Sequence, residues 1–224
     1  MKSFYTFLTF KKHDITTFTS TNKEVMSKLL SKCFILLILL PLSFTAMSQD
    51  SIQKSIVKAD STWSTEIIPF PVDWLPKLTF EGFEELRFSP NWNNPEHEEF
   101  WSIVMAWQVE TTSKIPLEAI AFNFNHYFTE LMHPNHWSQE FPDPKLELKA
   151  LETPENGAQF KGHITIFDGF HTGEIITLNI LGYQTFCETA EQAVILFKLS
   201  PKNFDTPIWE ELNAVVINED DCKD

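Results

Sequence analysis

The sequence predicts an α+β fold in which an antiparallel β-sheet of about six or seven strands is covered by helices, an α/β/α-type sandwich. Three observations lead to this prediction. Several segments alternate apolar and polar residues with the period of two that strands require. The turn signals Asn156-Gly157 and Asp168-Gly169 join neighbouring segments closely, which favours antiparallel pairing. One long segment instead repeats its apolar residues at the three-and-four spacing of a half-buried helix.

The first three strands are predicted at residues 63–70, 78–88 and 99–110. Pro71 follows the first of them and prevents its continuation. One face of the third strand is bulky and apolar, and its members are Trp101, Ile103, Met105, Trp107 and Val109. We expect this face to pack against a helix, because successive side chains of a strand point to opposite sides of the sheet.

That helix is predicted at residues 116–132. Pro116 suits the first helical turn, and Pro134 stops the helix from continuing. The apolar stripe that should face the sheet consists of Leu117, Ile120, Ala121, Phe124, Phe128 and Leu131. This is the strongest helical pattern in the chain.

The C-terminal half contributes four more strands and a final helix. The strands are predicted at residues 145–152, 158–167, 174–186 and 193–199. The helix follows Pro201 and is predicted at residues 207–215, with Ile208, Leu212 and Val215 facing inward. The chain is 43% hydrophobic and 14% aromatic over 224 residues. This composition supports one substantial core, and we expect a single domain over residues 63–224.

Residues 26–48 are predicted to be a signal peptide. Lys28 and Lys32 precede an apolar run of about a dozen residues, and Ala46-Met47-Ser48 supplies the small-x-small cleavage pattern. The run is too short to span a bilayer, so the mature chain is predicted to lack a transmembrane anchor and to be secreted or periplasmic. Residues 1–25 read as a mis-called start before Met26, and residues 49–62 as a flexible leader or short helix.

The predicted mature chain is strongly acidic. Removing residues 1–48, with six lysines, Asp14 and Glu24, from 17 basic and 31 acidic residues leaves 11 and 29, a net charge of −18. Such a surface repels nucleic acid. Cys187 and Cys222 remain, and two cysteines in an exported protein predict a disulfide. A metal site or a catalytic thiol is the alternative for these cysteines.

Several short motifs are distributed over the predicted domain. They are Gly82-Phe83-Glu84-Glu85-Leu86-Arg87-Phe88, Trp92, Pro95, Glu99-Phe100-Trp101-Ser102, Gly162, Asp168-Gly169-Phe170, Thr177-Leu178-Asn179, Cys187, Leu199-Ser200-Pro201 and Pro207-Ile208-Trp209. Together they resemble the motifs of an uncharacterised family of secreted bacterial proteins. The resemblance covers most of residues 66–222 and implies no known activity. The C-terminal strand, Ser-Pro turn and helix are similar to the ending of Mog1/PsbP-like sandwiches, which implies a fold only.

Two groups of residues are candidates for chemistry. His126, Glu130 and His133 lie four and three residues apart on the predicted helix, and His136 follows; two imidazoles and a carboxylate suit zinc. The alternative for this group is a polar, solvent-facing helix surface. His163, Asp168 and His171 surround one hairpin and could act in acid–base catalysis, although turn chemistry alone explains polar residues there.

A third group is suited to binding. Trp74, Trp92 and Trp137 lie in loops, where exposed rings can stack on sugars or other apolar faces, or fold back over the core. Arg87 is the only arginine in the chain and can hold a carboxylate or phosphate with two bonds, or pair with a glutamate across the sheet.

We therefore predict a non-catalytic binding or structural module of the bacterial envelope that needs no cofactor. Its partner would be a small molecule, a glycan or an envelope protein. The alternative is a metal-dependent hydrolase using the His/Glu group on the helix.

Overall fold

A computed structural model describes residues 54–132, 141–155 and 158–218, which belong to one compact unit, Ile52–Asp224. The segments predicted as a false start and a signal peptide lie outside the described residues. The elements are, in chain order, β1 (Val57–Lys58), β2 (Ser64–Phe70), β3 (Gly82–Phe88), β4 (Ile103–Glu110), α1 (Leu117–Leu131), β5 (Lys145–Glu155), β6 (Ala158–Phe167), β7 (Ile175–Cys187), β8 (Gln192–Ser200), α2 (Ile208–Ala214) and β9 (Val216–Ile217). None of the helices in this part of the chain is long and apolar enough to cross a membrane.

Seven strands form one antiparallel sheet in the order β2-β3-β4-β8-β7-β6-β5. The predicted antiparallel sheet of six or seven strands is confirmed, while the described chain is mostly β and contains two helices. Two strands, β3 and β4, begin four residues later than predicted. Residues 78–81 belong to a loop, because the backbone turns at Gly82 with φ +139°. Residues 99–102 also lie outside β4, because Trp101 has φ +51°, which no strand can include.

The sheet is covered by one helix on each face. On the first face, Trp107 and Phe197 pack with Phe124 of α1 in what we term the larger core. On the second face, Ala106 and Leu196 pack with Trp209 of α2 in the smaller core. Within β4, the residues predicted to face a helix do so, and the alternate residues face the other core.

Residues 54–58 differ from the predicted flexible leader or short helix. β1 pairs with β9 in a second, two-stranded sheet, and Ile56 and Val57 are buried in the smaller core. Their apolar partners lie in the C-terminal part of the chain, and local sequence patterns do not show such distant pairing. The segment is therefore an ordered part of the domain from residue 54 onward.

The antiparallel order places the loops at two opposite ends of the sheet. The β3–β4 loop (89–102) and the β6–β7 turn (168–174) lie at one end, which we call the Trp92 end. The β2–β3 loop (71–81) and the β7–β8 turn (188–191) lie at the other, which we call the Trp74 end.

Candidate functional site

The β3–β4 loop fixes two tryptophans at the Trp92 end. Glu99 Oε2 accepts hydrogen bonds from the backbone N and the Nδ2 of Asn91 at 2.7 and 3.2 Å, which closes the loop on itself. The backbone N of Trp101 donates to the carbonyl of Trp92 at 2.8 Å. Trp101 adopts φ +51°, a conformation that bulky side chains rarely adopt and that costs free energy. The loop therefore holds Trp101 in a strained backbone conformation beside Trp92.

Asp168 organises the facing β6–β7 turn from the inside. Its side chain is buried, and Oδ1 accepts from the backbone N of Phe170 and His171 at 3.1 and 3.2 Å. Oδ2 accepts from the backbone N and the hydroxyl of Thr172 at 2.9 and 2.8 Å. Gly173, with φ +69°, donates its N–H to the Asp168 carbonyl at 2.8 Å. The carboxylate thus fixes the backbone that presents Phe170 and His171.

The loop and the turn meet in an aromatic cluster. We use this name for Trp92, Phe100, Trp101, Phe170 and His171. The His171 ring centroid lies 4.9 Å from that of Trp92, 5.8 Å from those of Phe100 and Trp101, and 6.2 Å from that of Phe170. Phe100 and Trp101 are buried, whereas Phe170 is 53% exposed. The cluster therefore extends from the edge of the larger core to the surface.

Two nitrogens in the aromatic cluster are buried without a hydrogen-bond partner: Trp101 Nε1 and His171 Nε2. By contrast, Trp107 Nε1 donates to Glu84 at 2.9 Å, and Trp209 Nε1 donates to the carbonyl of Lys202 at 2.9 Å. A buried polar group without a partner costs about 1 to 3 kcal/mol. The two rings that carry these nitrogens have centroids 5.8 Å apart, and the unpaired groups indicate that the cluster can receive a hydrogen-bonding molecule.

Acidic groups near the aromatic cluster are engaged in other contacts. Asp168 is occupied by the turn, and Glu99 by Asn91. Lys202 Nζ lies 3.3 Å from Glu98 Oε2, in a surface ion pair that joins the β3–β4 loop to the segment after β8. The five members of the cluster supply ring faces and two unpaired nitrogens, with no carboxylate or ammonium group among them.

The predicted ligand-binding residues do not converge. Trp74 lies at the opposite end of the sheet from Trp92, is 40% exposed, and contacts Tyr127 with ring centroids 5.5 Å apart. Arg87 is on the face of β3 that carries the smaller core, whereas Trp92 packs on Phe88 of the other face at 4.6 Å. Trp137 lies outside the described residues. Among the three that are described, Trp92 alone belongs to the aromatic cluster.

Arg87 is engaged in a structural network. Its Nε donates to Glu85 Oε1 at 2.7 Å, and its Nη2 donates to Ser55 Oγ at 2.8 Å. Glu85 is fully buried, and its Oε2 accepts the backbone N–H of Ile56 at 2.7 Å. The partner is a glutamate two positions away on the same strand, not one across the sheet. The pair anchors residues 55–57 to β3.

Of the four residues predicted to bind a metal ion, the structure describes His126 and Glu130. His133 and His136 lie outside the described residues. His126 Nδ1 is buried without a hydrogen-bond partner, and its ring lies 4.3 Å from that of Phe122. Glu130 is on the same helix, one turn further on. Over residues 54–132, 141–155 and 158–218, no three His, Cys, Asp or Glu side chains are placed to hold a metal ion.

The three residues predicted for acid–base catalysis, His163, Asp168 and His171, do not converge on one site. His163 Nε2 lies 4.0 Å from Glu147 Oε1, and both side chains are substantially exposed. Ile164 and Ile166 of β6 face the larger core, so His163 faces the opposite side. Asp168 uses both carboxylate oxygens in the turn. His171 alone of the three enters the aromatic cluster.

Glu84 is a buried acid that the sequence interpretation did not single out. Its carboxyl accepts from Trp107 Nε1 at 2.9 Å and from the Tyr127 hydroxyl at 2.8 Å. Burial raises its pKa to about 7, against the lowering effect of these two bonds. The sequence pattern that could have indicated a buried acid is the pair Glu84-Glu85 within one predicted strand. Adjacent side chains of a strand point to opposite faces of the sheet, and a helix packs on each face. Two adjacent glutamates must then bury at least one carboxyl.

Lys198 is buried on the smaller-core face of β8 and caps α2. Its Nζ donates to the carbonyl and the Oδ1 of Asn213 at 3.2 and 3.3 Å. Burial lowers its pKa to about 8. A cation at the C-terminal end of a helix is favoured there, so this lysine has a structural role.

Cys187 is buried at the end of β7, with its Sγ 3.5 Å from Thr189 Oγ1. Cys222 lies outside the described residues. The disulfide between them stays a prediction.

Comparison of the chain with protein-family models, curated proteins and solved structures finds no match. The function is therefore argued from the geometry of the site.

Proposed function

We propose that the protein is an exported, non-catalytic binding module whose ligand is held at the aromatic cluster. One observation supports this above all: Trp101 Nε1 and His171 Nε2 are buried within a ring of aromatic side chains and have no hydrogen-bond partner. Trp101 also has a strained backbone, and such strain is concentrated at binding and active sites.

The chemistry of the cluster suits binding better than catalysis. The exposed ring of Phe170 and the partly buried rings of Trp92 and His171 offer apolar surface, and the two nitrogens offer hydrogen bonds, a combination found in many ligand sites. General acid–base catalysis needs a group that can exchange a proton with the substrate. The His171 imidazole is such a group, but the carboxylate of Asp168, predicted to act with it, is committed to three backbone N–H groups and the Thr172 hydroxyl and keeps only a positioning role.

Export to the periplasm or the medium is the second part of the proposal. It is supported by the signal-peptide pattern at residues 26–48, the two remaining cysteines and the acidic composition. We also assign the fold to the α+β sandwiches, on the ground that one helix covers each face of the sheet.

Ligand screening by intrinsic tryptophan fluorescence tests the proposal. Mature protein would be compared with Trp92→Ala and Phe170→Ala, and with Trp74→Ala as a matched control. Trp74 is also a partly exposed loop tryptophan, but it lies at the other end of the sheet. We expect a saturable fluorescence change that the two cluster variants lose and that Trp74→Ala retains. A change that only Trp74→Ala removes would refute the site.

A metal-dependent hydrolase is the second candidate. It is favoured by the unpaired Nδ1 of His126, because an imidazole nitrogen without a hydrogen bond can accept a metal ion. Elemental analysis of protein purified with added zinc decides between the candidates. One zinc ion per chain that is lost in His126→Ala and in Glu130→Ala would support the hydrolase. Absence of zinc from the unsubstituted protein would exclude the hydrolase.

A further inference from the structure

We infer that the aromatic cluster binds a neutral saccharide ring. This inference rests on the proposed function, since it names the ligand class of the same site. It follows from three properties of the cluster, which are its ring faces, its unpaired nitrogens and the placing of the nearby charges.

The ring faces suit the C–H faces of a sugar. Trp92 and Trp101 lie edge to face with centroids 6.2 Å apart, and Phe170 is tilted against Trp101 at 6.2 Å. Flat rings in different orientations provide apolar contact for the C–H groups of a pyranose, which pack on aromatic faces through dispersion and weak C–H contacts. Phe170, which is 53% exposed, is the ring that such a ligand meets first.

The two unpaired nitrogens require a group that can both accept and donate. An indole N–H is a donor only, so Trp101 Nε1 needs an acceptor. A neutral imidazole nitrogen is a donor or an acceptor, according to the tautomer. A hydroxyl group can accept the Trp101 N–H, and a hydroxyl group can satisfy the His171 nitrogen in either tautomer. Sugars carry several hydroxyls around an apolar ring and therefore combine both requirements.

The charges disfavour ionic ligands. An anion would find Lys202 paired with Glu98 and Arg87 bound to Glu85 on the other face of the sheet. An organic cation would be attracted by the aromatic rings, but it has no lone pair to accept the Trp101 N–H. Such a cation would leave the Trp101 indole N–H without an acceptor, so the free-energy cost of this buried unpaired group would remain. A neutral hydroxyl-bearing ring avoids both conflicts.

Access requires a movement of side chains. The two nitrogens are buried, while the backbone of residues 170–172 is hydrogen-bonded to Asp168. The turn can therefore keep its shape while the ring of Phe170, which is largely in solvent, rotates aside. Side-chain rotation of an exposed residue is fast and inexpensive compared with loop rearrangement.

The test is nuclear magnetic resonance of the tryptophan indole groups in ¹⁵N-labelled mature protein. The Trp101 signal would be assigned with Trp101→Phe, and the Trp74 signal with Trp74→Phe. The probes are the methyl glycosides of glucose, galactose and mannose, N-acetylglucosamine, tetramethylammonium chloride, sodium acetate and sodium phosphate, each at millimolar concentration. We expect at least one saccharide to shift the Trp101 indole signal in a saturable way and to leave the Trp74 signal in place.

Phe170→Ala and His171→Gln provide the matched variants. Phe170→Ala changes an exposed position and should fold, and it is expected to weaken saccharide binding about tenfold or more. A Trp101 shift caused by tetramethylammonium or by the anions alone would overturn the saccharide inference while leaving a binding site at the cluster. If no probe moves the Trp101 signal, and a broad metabolite extract fails to move it as well, both the inference and the proposed function are wrong.

Discussion

The Tyr127 hydroxyl donates a hydrogen bond to Glu84 Oε2 at 2.8 Å inside the larger core. The second carboxyl oxygen accepts from Trp107, so the acid has two neutral donors and no cation among the partners described. Burial without a cation favours the protonated form, and it raises the pKa of Glu84 to about 7. Burial, together with the nearby Glu84 carboxyl, raises the pKa of Tyr127 well above its usual value.

Glu84 is expected to make stability fall as the pH rises. The folded protein binds the proton more tightly than the unfolded chain, whose glutamate has a pKa of 4.5, so its contribution is complete below pH 4.5 and disappears towards pH 7. The shift corresponds to a loss of about 3 kcal/mol in the free energy of unfolding. Urea unfolding between pH 4.5 and 8 measures it, with Glu84→Gln as the control that should flatten the profile. Equal slopes in both proteins would contradict this assignment.

The buried pair of Glu85 and Arg87 should be essential for stability. Removing Arg87 leaves a fully buried carboxylate without its cation, which is expected to cost about 3 kcal/mol or more. Arg87→Ala should therefore lower the urea midpoint strongly. The double variant Glu85→Leu/Arg87→Met removes both charges and should recover much of the loss. A neutral effect of Arg87→Ala would show that the network does not anchor residues 55–57.

Asp168 should link the stability of the turn to ligand binding. Asp168→Ala leaves the N–H groups of Phe170, His171 and Thr172 without their acceptor, at a cost of about 1 to 3 kcal/mol. Thr172→Val removes only the hydroxyl bond and is the milder control. We expect Asp168→Ala to lower the melting temperature and abolish binding, and Thr172→Val to retain binding. Unchanged binding in Asp168→Ala would show that the turn does not position the cluster.

The predicted disulfide between Cys187 and Cys222 is tested by mass spectrometry of secreted protein. A closed loop of about 35 residues should stabilise the domain by about 3 to 4 kcal/mol in the chain-entropy model. We expect the oxidised protein to be lighter than the reduced protein by the mass of two hydrogen atoms, and the urea midpoint to fall on reduction. Two thiols that alkylate without reductant would contradict the disulfide, and an uncleaved N-terminus would contradict export.

Sequence periodicity was sufficient to predict buried faces where the whole pattern lies within one strand or one helix. The alternation in β4 predicted which of its residues face the larger core, because strand and helix periods are local. The apolar stripe of α1 did so too, except that Ala121 is only partly buried and is not part of that core, whereas Tyr127 is buried in it. The bounds of β6 also agree with the prediction. Periodicity failed for β1, whose partners are contributed by the C-terminal part of the chain.

The aromatic cluster could not be predicted for the same reason. Trp92 and His171 are far apart in the sequence and meet because the β3–β4 loop and the β6–β7 turn lie at the same end of the sheet, where β8 alone separates β4 from β7. No local pattern encodes this strand order. Each residue was noticed separately, Trp92 as a stacking ring and His171 as a base. Only the strand order shows that they belong to one site.

The most direct test of the binding site is a map of backbone amide and indole shifts when the saccharide probes are titrated into mature protein. We expect the perturbed signals to centre on residues 168–173 and on the indoles of Trp92 and Trp101. Perturbations that centre on Trp74 and residues 71–81, at the opposite end of the sheet, would contradict it.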